Sequence, residues 1–451
     1  MVSDEVLRES ASWLLALASG EVSPDAANAR FTPHLTEGRD IGATIAKRFT
    51  AFRDSPPTIT AFDRAGEAKA VAVVRSGERL WEFAITVEPT EPHRIHSFRP
   101  RPVPADAREW TGLVGRLRQL DHAASSLPAS LQTRIHQRLA DVVADDRIPG
   151  LSCGIAVAGE TVHREHLGTG DLRTLTPLTP LTPLTDAAVF RVGSVTKLVT
   201  ALTVLDLVQD GRIDLDAPVA PRAGFDATVA DLLLHRAGLP KDLTMRRDTA
   251  ALPETLAEAV ALLPSARTGD GRATYSNLGY ELLGLYVEQA TGAPFAESCD
   301  RILARYGIAG ARLAGPGTLA PSSVIGNQAI AGRLAPVVEA ADPYRFAGGM
   351  TADLDSVLAL AGVVGRAADP LAGALLAHTA PVGPGSSFIP GAALLDRPEG
   401  PIMWRGGSTA GFTAEIMAPA DGSAAVVLLG SSTPAEGLRN AAEEVLRLVR
   451  S

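Results

Sequence analysis

Lysine is nearly missing from this chain. There are four, Lys47, Lys69, Lys197 and Lys241, among 42 Lys and Arg in 451 residues. Arginine stays protonated in proteins and cannot act as a base, whereas a buried lysine can lose its proton. A lysine kept in an arginine-rich chain therefore invites a chemical explanation. Cysteine is equally scarce. Cys153 and Cys299 are too few for a disulfide framework, and neither lies in a Cys-x-x-Cys pair, so both are expected as buried thiols. No apolar run reaches the ~18 residues of a membrane span. The opening MVSDEVLRESASWLLALASG has acidic residues where a secretory signal needs basic ones, and its apolar run is short. That predicts a cytoplasmic protein. Positive charge is in deficit: a net charge of -9 excludes nucleic acid and anionic membrane as partners.

What remains is an ordinary globular composition, 46% hydrophobic and 21% charged, in a chain long enough for two or three domains. Residues 5–19 carry apolar groups at helical spacing and stop at Gly20, and a second helix is expected over 39–52. The period then changes. TITAFDRAGEAKAVAVVRSGERLWEFAITVEPTEPHRIHSFRPRP reads as about four strands punctuated by Gly and Pro turns. The fold class predicted is α+β, with a small helix-plus-antiparallel-sheet domain over 1–105, a linker over 106–127 following the Pro-rich RPRPVPADAREW, and a large domain over 128–451. The large domain should open with a long helix ending near Gly150, then a hairpin over 151–168. TPLTPLTPL (176–184) reads as an extended surface loop. A mainly helical region over 194–380, strands at 413–418 and 423–430, and a closing helix suggest one sheet built from both ends of the domain and flanked by helices.

Three short motifs carry chemistry. In Ser194-Val-Thr-Lys197 the side chains share a helix face at i and i+3. A serine at a helix start also has free backbone N–H groups around it, which can hold an oxyanion. A desolvated lysine has a lowered pKa and can take the serine proton. The bland alternative is a capping serine beside a solvated lysine, and a lone Ser-x-x-Lys arises by chance about 0.2 times per chain of this kind. In Tyr275-Ser276-Asn277 the first and third residues project the same way on an extended segment, placing a phenol and an amide together. Here the alternative is a helix cap before LGYELLGLYVEQA. The third motif, Trp404-Arg-Gly-Gly-Ser-Thr-Ala-Gly-Phe412, has paired glycines before an apolar strand, which lets another backbone come close, or simply makes a turn. The pairs His93/His96 and His163/His166 could suggest metal, but on strands i and i+3 face opposite sides, so no metal site is expected.

Taken in this order, the three motifs resemble the class C β-lactamase superfamily, which includes penicillin-binding DD-peptidases, family VIII carboxylesterases and related transacylases. The resemblance runs from about 130 to 450. It includes DGRIDLDAPV, ATVADLLLHRAGLP (227–240), similar to the family's "LLxHxxGLP" element, and FAGGMTADLDSVLALA (346–361), similar to its "GGxxxxxxDxxxF" element. The resemblance implies Ser194 as nucleophile, Lys197 as its base partner and Tyr275 as the acid/base. It implies Asn277 as the residue that orients the lysine and the acyl group, and His235 as structural. It places Arg405 where the family usually has Lys or His, followed by Gly406 and Gly407, with the Ser408 N–H as second oxyanion donor. A register one residue earlier, Trp404-Arg405-Gly406, resembles the Trp-x-Gly of some family VIII esterases. In neither register does the chain have the Lys-Thr-Gly of true class C β-lactamases. More weakly, residues 1–100 resemble the cystatin/steroid-isomerase-like domain of a clavulanic-acid-cluster protein, in which a pocket Asp or His would be sought at Asp63 or His96.

The expectation is a serine hydrolase or acyltransferase, carboxylesterase- or transacylase-like, without cofactor or metal. It would act on a small-molecule ester, amide or β-lactam through an acyl-enzyme on Ser194. A weakly turning-over β-lactamase or penicillin-binding protein, and a non-catalytic acyl- or β-lactam-binding protein, are the alternatives.

Overall fold

The computed structural model describes every residue except 1, 37–39, 174–180, 220–225, 243–254, 262, 264–271, 316–317, 319, 338–343 and 367. The chain divides into two compact units, Met1–Glu109 with Ala329–Ala335, and Trp110–Gln328 with Pro336–Ser451.

In the first unit, helix α1 (Asp4–Ser19) starts where the Ser3 hydroxyl accepts the Val6 N–H, and ends at Gly20 in the left-handed region at φ 88°. Helix α2 (Ile41–Arg48) is capped by Asp40. Strands β1 (Thr58–Gly66), β2 (Lys69–Ser76), β3 (Arg79–Val87) and β4 (Ile95–Pro102) follow as an antiparallel meander in that order. One face of β2 and β3 is buried, and Leu7, Leu14 and Leu17 of α1 join Val74, Phe83 and Ile85 in a single core. Asp63 and His96 are exposed on β1 and β4, the two edges of this sheet, so the structure does not bring them into one cavity.

The segment expected as a linker, 106–127, carries defined elements. Helix α3 (Thr111–Leu117) buries Leu113 and Leu117, and β5 (His122–Ser125) pairs with a strand of the large sheet. Trp110 is buried and donates from Nε1 to the Ala144 carbonyl at 3.1 Å. Proline and charge dominate the local composition, but one aromatic and a Leu pair at i, i+4 are enough to anchor the stretch.

The second unit continues with α4 (Ala129–Asp145), β6 (Gly150–Val157) and β7 (Glu160–Gly168), close to the expected helix and hairpin. Most of the TPLTPLTPL repeat lies outside the described residues. Its end does not hang free: Pro183 bridges to Thr169 and Leu184 is buried. Helix α5 (Thr196–Gln209) is buried on all sides from Thr196 to Leu207, as a central helix must be. Full burial of Leu198, Leu202 and Leu205 contributes about 1.5–3 kcal/mol each. Helix α6 (Asn277–Thr291) and the single-turn α7 (Arg345–Gly348) pack against it.

Strands β8 (Ala380–Gly383), β9 (Ser386–Ile389), β10 (Ala392–Leu395), β11 (Ile402–Thr409), β12 (Phe412–Pro419) and β13 (Ala424–Gly430) complete a nine-stranded antiparallel sheet. Its order is β8-β9-β10-β11-β12-β13-β6-β7-β5. The late strand β13 pairs with the early β6, so the sheet joins both ends of the domain. Helix α8 (Leu438–Arg450) packs on β12 and β13 beside α4. The fold is α+β, as expected. Strand β8 starts at the last residue of the region expected to be helical, and β9, β10 and β11 occupy 386–409, where no strand was expected, because short Ala- and Ser-rich strands such as SSFI and AALL carry little period of their own.

Candidate active site

Residues Gly193–Val195 form a 3₁₀ turn that leads into α5. Gly193 lies at φ +50°, and a Cβ there would sit 2.9 Å from the Ser408 nitrogen, so only glycine lets the turn reach β11. The reciprocal contact is tighter: a Cβ on Gly407 would stand 2.1 Å from the Val192 carbonyl oxygen and 3.2 Å from the Ser194 nitrogen. The backbones around Ser194 and Ser408 are therefore in van der Waals contact.

One turn into α5, Lys197 is fully buried. Its Nζ donates to Asn277 Oδ1 at 2.6 Å, to the Ala347 carbonyl at 2.7 Å and to Ser194 Oγ at 3.3 Å. A protonated amine fills all three contacts. A neutral amine can keep the two shorter ones and turn its lone pair to Ser194. Burial, helped by the charge of Arg405 and opposed by Tyr275 and Glu281, brings this amine from 10.5 to about 8.

Tyr275 comes from the extended segment before α6. Its hydroxyl lies 2.8 Å from Ser194 Oγ, and Arg405 donates to it from Nη2 at 3.0 Å. Burial alone would raise this phenol. The charges of Arg405 and Lys197 and the Ser194 hydroxyl outweigh it and lower the phenol to about 8. Lys197 and Tyr275 titrate as a unit, with one proton leaving the pair in that range.

Ser276 points away from the site and caps α6. Its Oγ accepts the Gly279 N–H at 3.1 Å and donates to the Pro240 carbonyl at 2.7 Å. The capping reading and the chemical reading of Tyr-Ser-Asn thus coexist on alternate residues. His235, at φ 58°, accepts the Ser276 N–H on Nδ1 at 3.1 Å, which assigns its own proton to Nε2. Burial, then Lys197 and Arg405, hold it well below its usual pKa, so it is a neutral prop under the motif, its ring 4.8 Å from that of Tyr275.

Arg405 is buried at 7% exposure on β11. Besides Tyr275, its guanidinium donates to the Gly391 carbonyl at 3.2 Å and the Gly406 carbonyl at 3.0 Å. Gly391 is held in turn by Tyr280, whose hydroxyl accepts the Gly391 N–H at 2.6 Å.

Sequence reasoning passed over Ala347, Gly391, Tyr280 and Asp242, the last of which accepts from Asn277 Nδ2 at 2.7 Å. Ala347 lies inside the quoted FAGGM element, whose role as a lysine acceptor has no sequence signal. Among the histidine pairs, His166 joins Ser152 at 2.8 Å and Asp186 at 2.9 Å in a Ser-His-Asp chain. Ser152 is fully buried within β6, out of reach of any substrate, so that chain is structural. A cavity of about 640 Å³ lined by Arg164, Asp355 and Arg366 includes none of the site residues.

Residues 135–450 match the beta-lactamase family. The chain belongs to that family. Its relatives include an esterase, EstB, of Burkholderia gladioli, 32% identical over 214 residues, covering 41% of this chain and 52% of EstB. A beta-lactamase of Providencia stuartii is 25% identical over 182 residues, covering 39% and 45%. The chain thus spans about half the length of the curated relatives it matches. Among solved structures, the class C beta-lactamase from Rhodobacter sphaeroides superposes with a TM-score of 0.60 at 19% identity, over 70% of this chain and 99% of that one. D-amino acid amidase from Ochrobactrum anthropi SV3, complexed with L-phenylalanine, gives 0.59 at 24% identity, over 71% and 99%. These two likenesses concern the fold. Among the described residues, no single helix is long and apolar enough to cross a membrane.

Proposed function

We propose that this chain is a serine hydrolase or acyltransferase that opens a small ester or amide through an acyl-enzyme on Ser194. The observation that carries this reading is the position of Ser194 Oγ between two groups lowered to about 8, the Tyr275 hydroxyl at 2.8 Å and the buried Lys197 amine at 3.3 Å. Once that pair has released a proton, it takes the Ser194 proton as Oγ attacks the carbonyl carbon. The carbonyl oxygen becomes an oxyanion and turns to the Ser194 and Ser408 N–H groups. Collapse of the tetrahedral intermediate breaks the bond to the leaving alcohol or amine, and that group receives the proton back from the pair. Water or another hydroxyl acceptor then repeats the sequence on the acyl-enzyme in reverse roles.

An esterase among the relatives supports an ester as the acyl donor. The beta-lactamase relative keeps a second reading in view. Against it stands Arg405. Three of its five N–H donors are engaged by Gly406, Gly391 and Tyr275 and the residue is buried, which favours a charge held under the phenol over an anchor for a substrate carboxylate. Gly406 also supplies no hydroxyl beside it.

The test is intact-mass measurement after incubation with a fluorophosphonate, together with kcat/KM for p-nitrophenyl butyrate and a chromogenic cephalosporin on one preparation. Ser194→Ala should stay folded and lose both labelling and ester turnover. Labelling at another serine would sink the assignment, and a cephalosporin kcat/KM at or above the ester value would move the protein to the beta-lactamase reading.

A further inference from the structure

Glu281 lies six residues after Tyr275, on the buried side of α6. A carboxylate in a core needs partners, because desolvation penalises its charge. Its Oε1 accepts two backbone N–H groups, from Phe346 at 2.7 Å and from Ala347 at 2.8 Å. Both belong to α7, a single turn too short to fix its own orientation. The carbonyl side of the same residues faces α5. Ala347 accepts from Lys197 Nζ, and Phe346 accepts from Thr200 Oγ1 at 2.7 Å. One turn beyond Glu281, a Cβ on Gly284 would fall 2.1 Å from the Phe346 ring, so α6 also meets the turn by close packing.

We infer that Glu281 is a positioning residue for the Ser194 reaction: by gripping the Phe346 and Ala347 N–H groups, it aims the Ala347 carbonyl at Lys197 and so fixes the direction of the amine toward Ser194. The inference rests on the hydrolase reading above. The Ala347 carbonyl and Asn277 Oδ1 together set where two of the amine hydrogens point, and the third direction is then the one toward Ser194. Without Glu281 the Phe346 and Ala347 N–H groups lose the acceptor that ties this turn to α6. The peptide that carries the Ala347 carbonyl keeps the bond from the Gly348 N–H to the Tyr344 carbonyl at 3.0 Å, but the turn it belongs to is less firmly placed, and so is one of the two guides of the amine. The charges that reach Glu281 are Arg345 on α7 and Lys197 on α5. Burial pushes its carboxyl up to about 8 against those charges and its two N–H bonds, into the range where Lys197 titrates. The carboxylate favours the protonated amine, so its removal makes the amine easier to deprotonate.

The experiment measures the rate of fluorophosphonate labelling of Ser194 against pH, with kcat and KM for p-nitrophenyl butyrate, in the full chain and in Glu281→Ala and Glu281→Gln. Glu281→Ala should lower the labelling rate and kcat by roughly 10–100-fold, the scale of a misaimed catalytic group, with KM nearly unchanged. Glu281→Gln keeps a carbonyl for the two N–H groups. It should recover most of the rate at high pH, and its rising limb should move to lower pH. Wild-type rates in folded Glu281→Ala, or an unshifted limb in Glu281→Gln, would overturn the inference. So would losses in either variant that match its loss of folded protein by circular dichroism. If the unmodified protein is not labelled at Ser194, the hydrolase reading fails and this inference falls with it. Labelled wild type with indifferent variants refutes this inference alone.

Discussion

Replacing Gly407 by alanine tests the oxyanion site without touching any polar side chain. The added Cβ would lie 2.1 Å from the Val192 carbonyl oxygen, where real Cβ contacts stop near 3.0 Å, and 3.2 Å from the Ser194 nitrogen. Every neighbour in the way is backbone, so no rotamer change relieves the overlap. Strand β11 must retreat from residues 192–194 by about 1 Å, and with it the Ser408 N–H. An oxyanion held at ~2.7–3.1 Å from both donors would lose one of them, which costs about 10²–10³ in kcat. Overpacking of the contact itself costs about 1–3 kcal/mol of stability. Gly406→Ala is the control. Its Cβ would meet the Trp404 ring at 3.1 Å and the Glu415 carboxylate at 3.2 and 3.3 Å, all side-chain atoms on the face away from Val192 that can yield by a few tenths of an ångström. The assay is kcat and KM for p-nitrophenyl butyrate on both variants, with thermal melts to establish folding. The expectation is a loss of about two to three orders of magnitude in kcat for Gly407→Ala and a loss of at most about fivefold for Gly406→Ala. A folded Gly407→Ala enzyme with wild-type kcat would refute the placement of the oxyanion between Ser194 and Ser408.

Three further predictions concern the proton pair. Lys197→Arg keeps the charge but gives up the base, so kcat should fall by ~10²–10⁴; equal kinetics in the two proteins would remove the lysine from proton transfer. In the native enzyme activity should rise through about pH 8, as the Lys197–Tyr275 pair loses its proton. Arg405 holds both members down, so Arg405→Gln should move that rising limb to higher pH by roughly one unit. An unmoved limb in a pH series of kcat/KM would show that the guanidinium does not tune the pair.

The candidate site was named from local spacings read together with a family resemblance; the spacings alone left the capping alternatives open. Ser194 and Lys197 share a face at i and i+3 at the start of a helix, and Tyr275 and Asn277 project the same way at i and i+2 where an extended segment enters α6. Such offsets are settled by backbone geometry before any tertiary contact forms. The first four strands and the stop of the first helix at Gly20 were legible for the same reason. What only the tertiary structure decided are the meetings across long separations. The Ala347 carbonyl reaches Lys197 across 150 positions, and Arg405 reaches Tyr275 across 130. A motif can name Arg405 as a cation but cannot say that it donates to the Gly391 carbonyl and the Tyr275 hydroxyl, because those partners are brought to it by the tertiary fold. The same holds for Trp110, whose anchoring to Ala144 turns a Pro-rich, linker-like stretch into part of the large unit. Backbone periodicity is written along the chain, whereas the partners of a buried charge are set by which distant segments pack around it.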